Sequence, residues 1–405
     1  MSSINRFDEF QAALDRKFSS AAAWNPLNRR DFLRLMGASL ALGGLVACTR
    51  QPDEKIVPFV NSPENQLPGQ PLWYATAVPL DGYGMGVLAE SHAGRPTKIE
   101  GNPLHPASLG GADGFAQASI LDLYDPDRAR TVRHEGQESS WEALAEAMEQ
   151  QLAQHSSNEG QGIRLLTGPV TSPTLLQLIR EFLETYPQAV WHVYTPVNRD
   201  FLHEATTLAF GAAVDPVYAI AKAEVIVAFD ADFLGVGPGR VHYARDFASR
   251  RRVEQGALNR LYVLESTVSI TGIAADHRLA LRPDQIEQFA RALARELGVA
   301  VQGESVGVDT AWIQAVAADL REQRGRSLVL AGEQRSPALQ ALAFAINHAL
   351  GNLGATVSFI PPVAGQAASL RELTTAMESG AVEMLVLLET NPVYSAPADL
   401  RFAEH

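Results

Sequence analysis

The chain reads as an α/β protein with a small β-rich module in front and two parallel-sheet α/β domains behind it. Three patterns carry that reading. Short strands with glycine turns fill Trp73 to Glu100. From Trp141 onward, strands alternate with helices of ten to fifteen residues, the rhythm of βαβ units and a parallel sheet. That rhythm breaks near Gly211 to Tyr218, which divides it between two sheets.

The elements follow in order. Trp73 to Ala77, Gly86 to Glu90 and Thr97 to Glu100 are the strands of the front module. Trp141 to Gln151 is a helix capped by Ser139 or Ser140, whose hydroxyl can accept from an unpaired first-turn N–H. Strand Gly162 to Thr167, helix Pro173 to Tyr186, strand Val190 to Val193 and helix Asp200 to Phe210 come next. Beyond the break lie strand Ala223 to Phe229, helix Val241 to Arg251, strand Arg260 to Leu264, helix Pro283 to Leu297, strand Ser327 to Ala331 and helix Pro337 to Leu350. Strand Thr356 to Phe359, helix Ala367 to Ser379 and strand Met384 to Leu388 close the series. The expected domains are residues 73–135 for the β-rich module, 136–212 with 352–405 for the first α/β domain, and 213–351 for the second.

Ahead of them, residues 1–48 read as an extended export signal. Arg29 and Arg30 lead into Asp31-Phe32-Leu33-Arg34, a twin-arginine pattern, and Leu35 to Ala47 form an uncharged run of thirteen residues. A membrane-crossing helix needs about 20 apolar residues, so the run suits a signal core. Leu45-Val46-Ala47-Cys48 ends it as a lipobox, with Cys48 the lipid acceptor; left uncut, Cys48 is one more apolar residue. The twin-arginine route carries folded proteins, which places the chain on the periplasmic face of the inner membrane. One acyl chain binds a bilayer only marginally, so a membrane-bound partner is implied. Phe7, Phe10, Leu14 and Phe18 recur at helical spacing in the long extension before Arg29. Residues 49–72 hold a Pro-rich linker.

Composition excludes several chemistries. The 405 residues carry a net charge of −13, the wrong sign for nucleic acid. Cys48 is the single cysteine, so neither an internal disulfide nor a cysteine-ligated iron–sulfur cluster can form. The ten histidines show no HExxH, and no metal site is expected.

In open α/β sheets ligands sit beyond the carboxyl ends of the strands. Here those ends read Asp230-Ala231-Asp232, Glu265-Ser266-Thr267, Gly332-Glu333 and Thr390-Asn391-Pro392, polar turns that suit a nucleotide-like ligand and equally serve as strand caps. No GxxxxGK[ST] loop is present, and Gly235-Val236-Gly237-Pro238-Gly239 lacks the spacing of a dinucleotide fingerprint.

GRPTKIEGNPLHPASLGG (Gly94 to Gly111) followed by DLYDPDR (Asp122 to Arg128) strongly resembles the N-terminal segment of the molybdopterin oxidoreductase superfamily. Catalytic members place cysteines of a [4Fe–4S] cluster there, and Trp73 to Gly86 contains none. RRDFLRLMGASLAL, EKIVPFV (Glu54 to Val60), AQASILDLYDPDR, DADFLG (Asp230 to Gly235), YARDFA (Tyr243 to Ala248), ESTVSITGIAADHR (Glu265 to Arg278) and NPVYSAPADLRF (Asn391 to Phe402) together look like the B subunit of alternative complex III. That resemblance implies a respiratory complex passing electrons from quinol to a cytochrome c or a high-potential iron–sulfur protein. It implies membrane and cytochrome c subunits as partners, and a molybdopterin-like half without cofactor. The iron–sulfur clusters would belong to a later, cysteine-rich half beyond His405, so the chain is read as a fragment.

The resulting expectation is a non-catalytic scaffold without a cofactor of its own. A catalytic molybdopterin oxidoreductase of the polysulfide-reductase type is the first alternative; it would use Lys98 as the electron relay, otherwise a solvent-exposed strand lysine. A lipid-anchored periplasmic binding protein is the second. A retained pterin pocket would draw on Lys98, Asp230, Asp232, Glu265, Thr267 and Asn391. Asn102 and His105 are assigned to a structural loop that locks the front module in place.

Overall fold

The computed structural model describes residues 69–80, 82–92, 94–252, 256, 258–302, 307, 309–365 and 367–405. All fall in one unit, Asn65–His405. Arg29, Arg30 and Cys48 lie outside the described residues.

The front module is an antiparallel meander of β1 (Leu72–Leu80), β2 (Tyr83–His92) and β3 (Arg95–Gly101). β1 is exposed along most of its length, and Val87 and Ile99 supply the buried apolar contacts. A short helix, α1 (Gly114–Ala118), follows with Asp113 as its N-cap, the carboxylate accepting from the Ala116 N–H. Next come a hairpin of β4 (Val132–His134) and β5 (Gln137–Ser139), absent from the sequence expectation, and α2 (Trp141–Gln154), capped by Ser140. No residue of α2 is buried.

The first parallel sheet has the order β14-β6-β7, built from Ile163–Thr167 (β6), Val190–Val193 (β7) and Met384–Leu388 (β14). Helix α3 (Pro173–Thr185) connects β6 to β7. Its Ser172 cap and Pro173 at the first turn suit a helix start, where a missing N–H costs nothing. Leu165, Val170 and Ile179 pack on one face of the sheet. Leu166 packs on the other with Leu370 and Leu373 of α10 (Leu370–Glu378) and with Leu400 and Phe402.

The second sheet has the order β11-β10-β9-β12, all parallel: Val225–Phe229 (β9), Arg260–Glu265 (β10), His277–Ala280 (β11) and Ser327–Ala331 (β12). All five residues of β9, Val-Ile-Val-Ala-Phe, are buried, as expected for a parallel strand covered on both faces. Val225, Val227 and Phe229 meet Ile286, Phe289 and Leu293 of α7 (Pro283–Glu296), Ile313, Val316 and Leu320 of α8 (Thr310–Glu322), and Leu339 and Ile346 of α9 (Pro337–Ala349). Ile226 and Ala228 face Phe247 of α5 (Arg240–Ser249) on the other side.

Two departures from the sequence expectation matter. Helix α8 was not anticipated, although Ile313, Val316, Ala317 and Leu320 follow the i, i+3, i+4, i+7 pattern. The break near Gly211 to Tyr218 contains a strand, β8 (Asp215–Tyr218), which pairs antiparallel with β13 (Val357–Ile360). Val357 packs into the apolar cluster beneath the four-stranded sheet. Helix α4 (Asp200–Phe210) lies against α9 through Leu202, Ala205 and Phe344.

Candidate functional site

The strand ends of the four-stranded sheet are tied together by their own side chains. Asp230, one step beyond β9, sits at φ +52°, a conformation Asp tolerates better than most residues. Its N–H donates to Leu264 O (2.7 Å), its Oδ1 accepts from the Ser266 N–H (3.2 Å), and its carbonyl accepts from Gln334 Nε2 (2.8 Å). Arg335 Nη1 approaches Oδ2 at 3.5 Å. Asp230 therefore staples the ends of β9, β10 and β12. Gly332 closes the same corner, because a Cβ there would collide with the Asp230 carbonyl.

Asp232 is committed to the next loop. Its Oδ1 accepts from both the N–H (2.8 Å) and the hydroxyl (2.7 Å) of Thr271, at the start of α6 (Ile270–Ile273). Glu265, only 2% exposed, receives Arg278 Nε (2.5 Å), Ser269 Oγ (2.6 Å) and the Ser269 N–H (3.3 Å). A buried carboxylate is tolerable when ionised donors and hydroxyls satisfy it in this way. A Cβ on Gly272 would strike the Glu265 carboxylate, so that glycine lets the loop close over it. Thr267 is exposed on the same loop.

The remaining predicted residues lie elsewhere. Asn391 follows β14 and caps α11 (Pro392–Ser395), its side chain accepting from the Tyr394 N–H (3.2 Å). Lys98 is an exposed residue of β3, ion-paired to Glu100, whose hydrogen bond raises its pKa. The structure thus brings Asp230, Asp232, Glu265 and Thr267 to one sheet end and leaves Lys98 and Asn391 on other elements.

Asn102 and His105 organise the loop after β3. Asn102 Oδ1 accepts from the Leu104 N–H (2.9 Å), and its carbonyl collects the N–H groups of His105 (3.1 Å) and Gly110 (3.0 Å) and the Ser108 hydroxyl (2.9 Å). The loop is seated on α5. Asp113 pairs with buried Arg240 (2.5 Å), His242 Nδ1 donates to Pro106 O (3.1 Å), and Arg245 donates to Leu109 O. A Cβ on Gly111 would lie 2.8 Å from Val241 Cγ1, so contact there is close.

One cluster escaped the sequence reading. Arg199, which precedes α4, donates to the Tyr83 hydroxyl (3.2 Å), contacts Asp215 Oδ1 (3.1 Å) and forks onto Glu333 Oε1 with Nε (3.0 Å) and Nη2 (2.8 Å). His203 Nε2 joins Asp215 Oδ1 at 2.9 Å. Arg199 follows β7 and Glu333 follows β12, so the carboxyl ends of the two parallel sheets meet through this ion pair. Burial opposes the Arg199 charge, but Glu333, Tyr83 and Asp215 outweigh it and raise its pKa. Burial raises the Asp215 pKa, yet the His203 hydrogen bond and Arg199 outweigh it and hold the group below the usual carboxylate value. No single motif signals this cluster in the sequence.

These groups do not fit a pterin as they stand. Asp232 and Glu265 spend acceptor capacity on Thr271, Ser269 and Arg278, and the Arg199 guanidinium is forked between carboxylates. A cavity of about 370 Å³ is lined by Tyr218, Lys222, His242, Asp246 and Thr356 among others, and by none of these three residues. No group of three or more His, Cys, Asp or Glu side chains among the described residues is arranged to hold a metal ion.

No protein-family profile matches the chain. It is 24% identical over 431 aligned positions to the menaquinone reductase, molybdopterin-binding-like subunit of Nitratidesulfovibrio vulgaris strain Hildenborough, an alignment covering 93% of this chain. The chain spans 61% of that relative's length. Among solved structures, acetylene hydratase from Pelobacter acetylenicus is similar over 70% of this chain and 44% of its own, with a TM-score of 0.49 and 13% identity. The chain is thus similar over nearly its whole length to a molybdopterin-binding-like subunit of a menaquinone reductase.

Proposed function

We propose that this chain is a molybdopterin-oxidoreductase-like scaffold, non-catalytic itself, of a membrane-attached respiratory quinol oxidoreductase of the alternative complex III kind. The observation that carries the reading is the self-satisfaction of the strand ends: Asp232 is bonded to Thr271, Glu265 to Arg278 and Ser269, and Arg199 to Glu333 and Asp215. Such side chains hold loops rather than a ligand. The similarity to a subunit named for menaquinone reductase and described as molybdopterin-binding-like supports the same assignment. Export through Arg29 and Arg30, a lipid on Cys48 and a place on the periplasmic face of the inner membrane complete the proposal. Membrane and cytochrome c subunits are the proposed partners.

The test is to purify the assembled complex with Asp232→Ala in this chain, which removes the acceptor of both Thr271 bonds. A scaffold role predicts less complex per membrane but unchanged quinol turnover per assembled complex. Full assembly with turnover lost would contradict it.

A further inference from the structure

The cavity of about 370 Å³ is walled by three pieces of the fold: the β8–β13 pair, the turn Ile220–Lys222 and helix α5. These walls are tied to one another. The Ala219 N–H donates to Thr356 O (2.9 Å), the Tyr218 N–H donates to the Tyr243 hydroxyl of α5 (3.3 Å), and Thr356 Oγ1 donates to Ser327 O at the start of β12 (2.5 Å). Thr356 is only 1% exposed. The cavity is therefore set by internal pairing of the domain.

Two features of its lining are uncommitted. Lys222 is exposed and, among the described residues, has no ion-pair or hydrogen-bond partner for its ammonium group. His242 and Asp246 stand four residues apart on α5, a spacing at which helical side chains meet, with Nε2 and Oδ2 3.4 Å apart. The Nδ1 hydrogen of the ring is already donated to Pro106 O (3.1 Å). A neutral ring therefore turns the lone pair of Nε2 toward a second acceptor, the carboxylate. Their separation also exceeds the length of a charge-assisted hydrogen bond, about 2.7–2.9 Å. A protonated amine, which donates to both, fits that face.

The rest of the lining is small and apolar, with Val217, Ala219 and Ala221 contributing to it. A mostly apolar hollow with a few placed polar groups is the usual form of a small-molecule site. We propose that this cavity binds a small aliphatic aminocarboxylate. Its carboxylate meets Lys222, its ammonium group meets Asp246 and His242 Nε2, and its aliphatic body lies against Val217 and Tyr218. A ligand with only one of the two charges leaves either the lysine or the acceptor pair unmatched.

The experiment uses the full chain and three ligands of one carbon skeleton: leucine, isocaproate, which lacks the amine, and isoamylamine, which lacks the carboxylate. Saturation-transfer NMR titrations give the affinity of each. Leucine should bind about fivefold tighter than either analogue, the scale of one partly exposed ion pair. Lys222→Met should remove the lead of leucine over isoamylamine, and Asp246→Ala should remove its lead over isocaproate. Should Asp246→Ala fail to fold, Lys222→Met decides, because Lys222 is exposed and carries no internal contact of its ammonium group. No binding of leucine, equal binding of the three ligands, or a lead over isoamylamine that survives Lys222→Met would overturn the proposal.

Discussion

Gly86 and His105 occupy complementary halves of one space: a Cβ on Gly86 would overlap the imidazole ring of His105. The ring is positioned by the loop that Asn102 folds, and Asn102 itself donates its N–H to Gly86 O (3.1 Å). Gly86→Ala should therefore destabilise by about 1–3 kcal/mol, the cost of overpacking. Adding His105→Ala should recover part of that loss, a coupling that only touching residues show. Thermal unfolding of both single variants and the double variant checks it; strict additivity would mean the loop is not held by this contact.

Glu265 is the carboxylate on which the second sheet end most depends. Removing one partner of a buried pair costs about 3–5 kcal/mol. Arg278 keeps 29% of its side chain exposed and can recover some hydration, so Glu265→Ala should fall at the lower end, about 3 kcal/mol. Urea unfolding measures this, and a loss below about 1 kcal/mol would class the pair with ordinary surface bridges.

His192 sets an acid limit. Burial chiefly lowers its pKa, outweighing the Ser369 carbonyl that accepts from Nδ1 (2.9 Å). The Nε2 atom is buried without a partner. The folded pKa lies below the unfolded value of about 6.5, so between the two the unfolded chain binds more protons. Stability should then fall as pH drops below about 6.5 and level off below the folded pKa. His192→Leu should flatten that segment of the profile even though it lowers stability at every pH. Urea midpoints across the acid range test this, and an unchanged slope in the variant would assign the acid loss elsewhere.

Arg29→Lys/Arg30→Lys should leave the protein in the cytoplasm, and Cys48→Ser, expressed without its membrane partners, should release exported protein from the membrane. Cell fractionation reads both. Export of the paired-lysine variant at the normal level would refute the twin-arginine assignment.

Much of the fold was legible because it is local. Ser172-Pro173 and Ser336-Pro337 mark helix starts by their chemistry, and β9 and β12 declare themselves as uncharged aliphatic runs. Helix α8 is legible too, in the helical spacing of Ile313, Val316, Ala317 and Leu320. β8 was not, because Asp215-Pro-Val-Tyr218 becomes a strand only by pairing with Val357–Ile360, far along the chain. The placement of Asp230, Asp232 and Glu265 at strand ends followed from the alternation of elements. Their bonds did not, since Thr271 is 39 residues from Asp232 and Arg278 is 13 from Glu265. Arg199 was invisible for the same reason: Tyr83 and Glu333 are 116 and 134 residues away.

The most direct measurement is elemental and pterin analysis of the purified full chain: inductively coupled plasma for Mo, W and Fe, and fluorescence of the oxidised pterin. A folded scaffold with self-satisfied strand ends predicts neither metal nor pterin at stoichiometric levels. Stoichiometric Mo or W together with pterin would contradict the account, and would mean that the bonds of Asp232, Glu265 and Arg199 open to admit a cofactor.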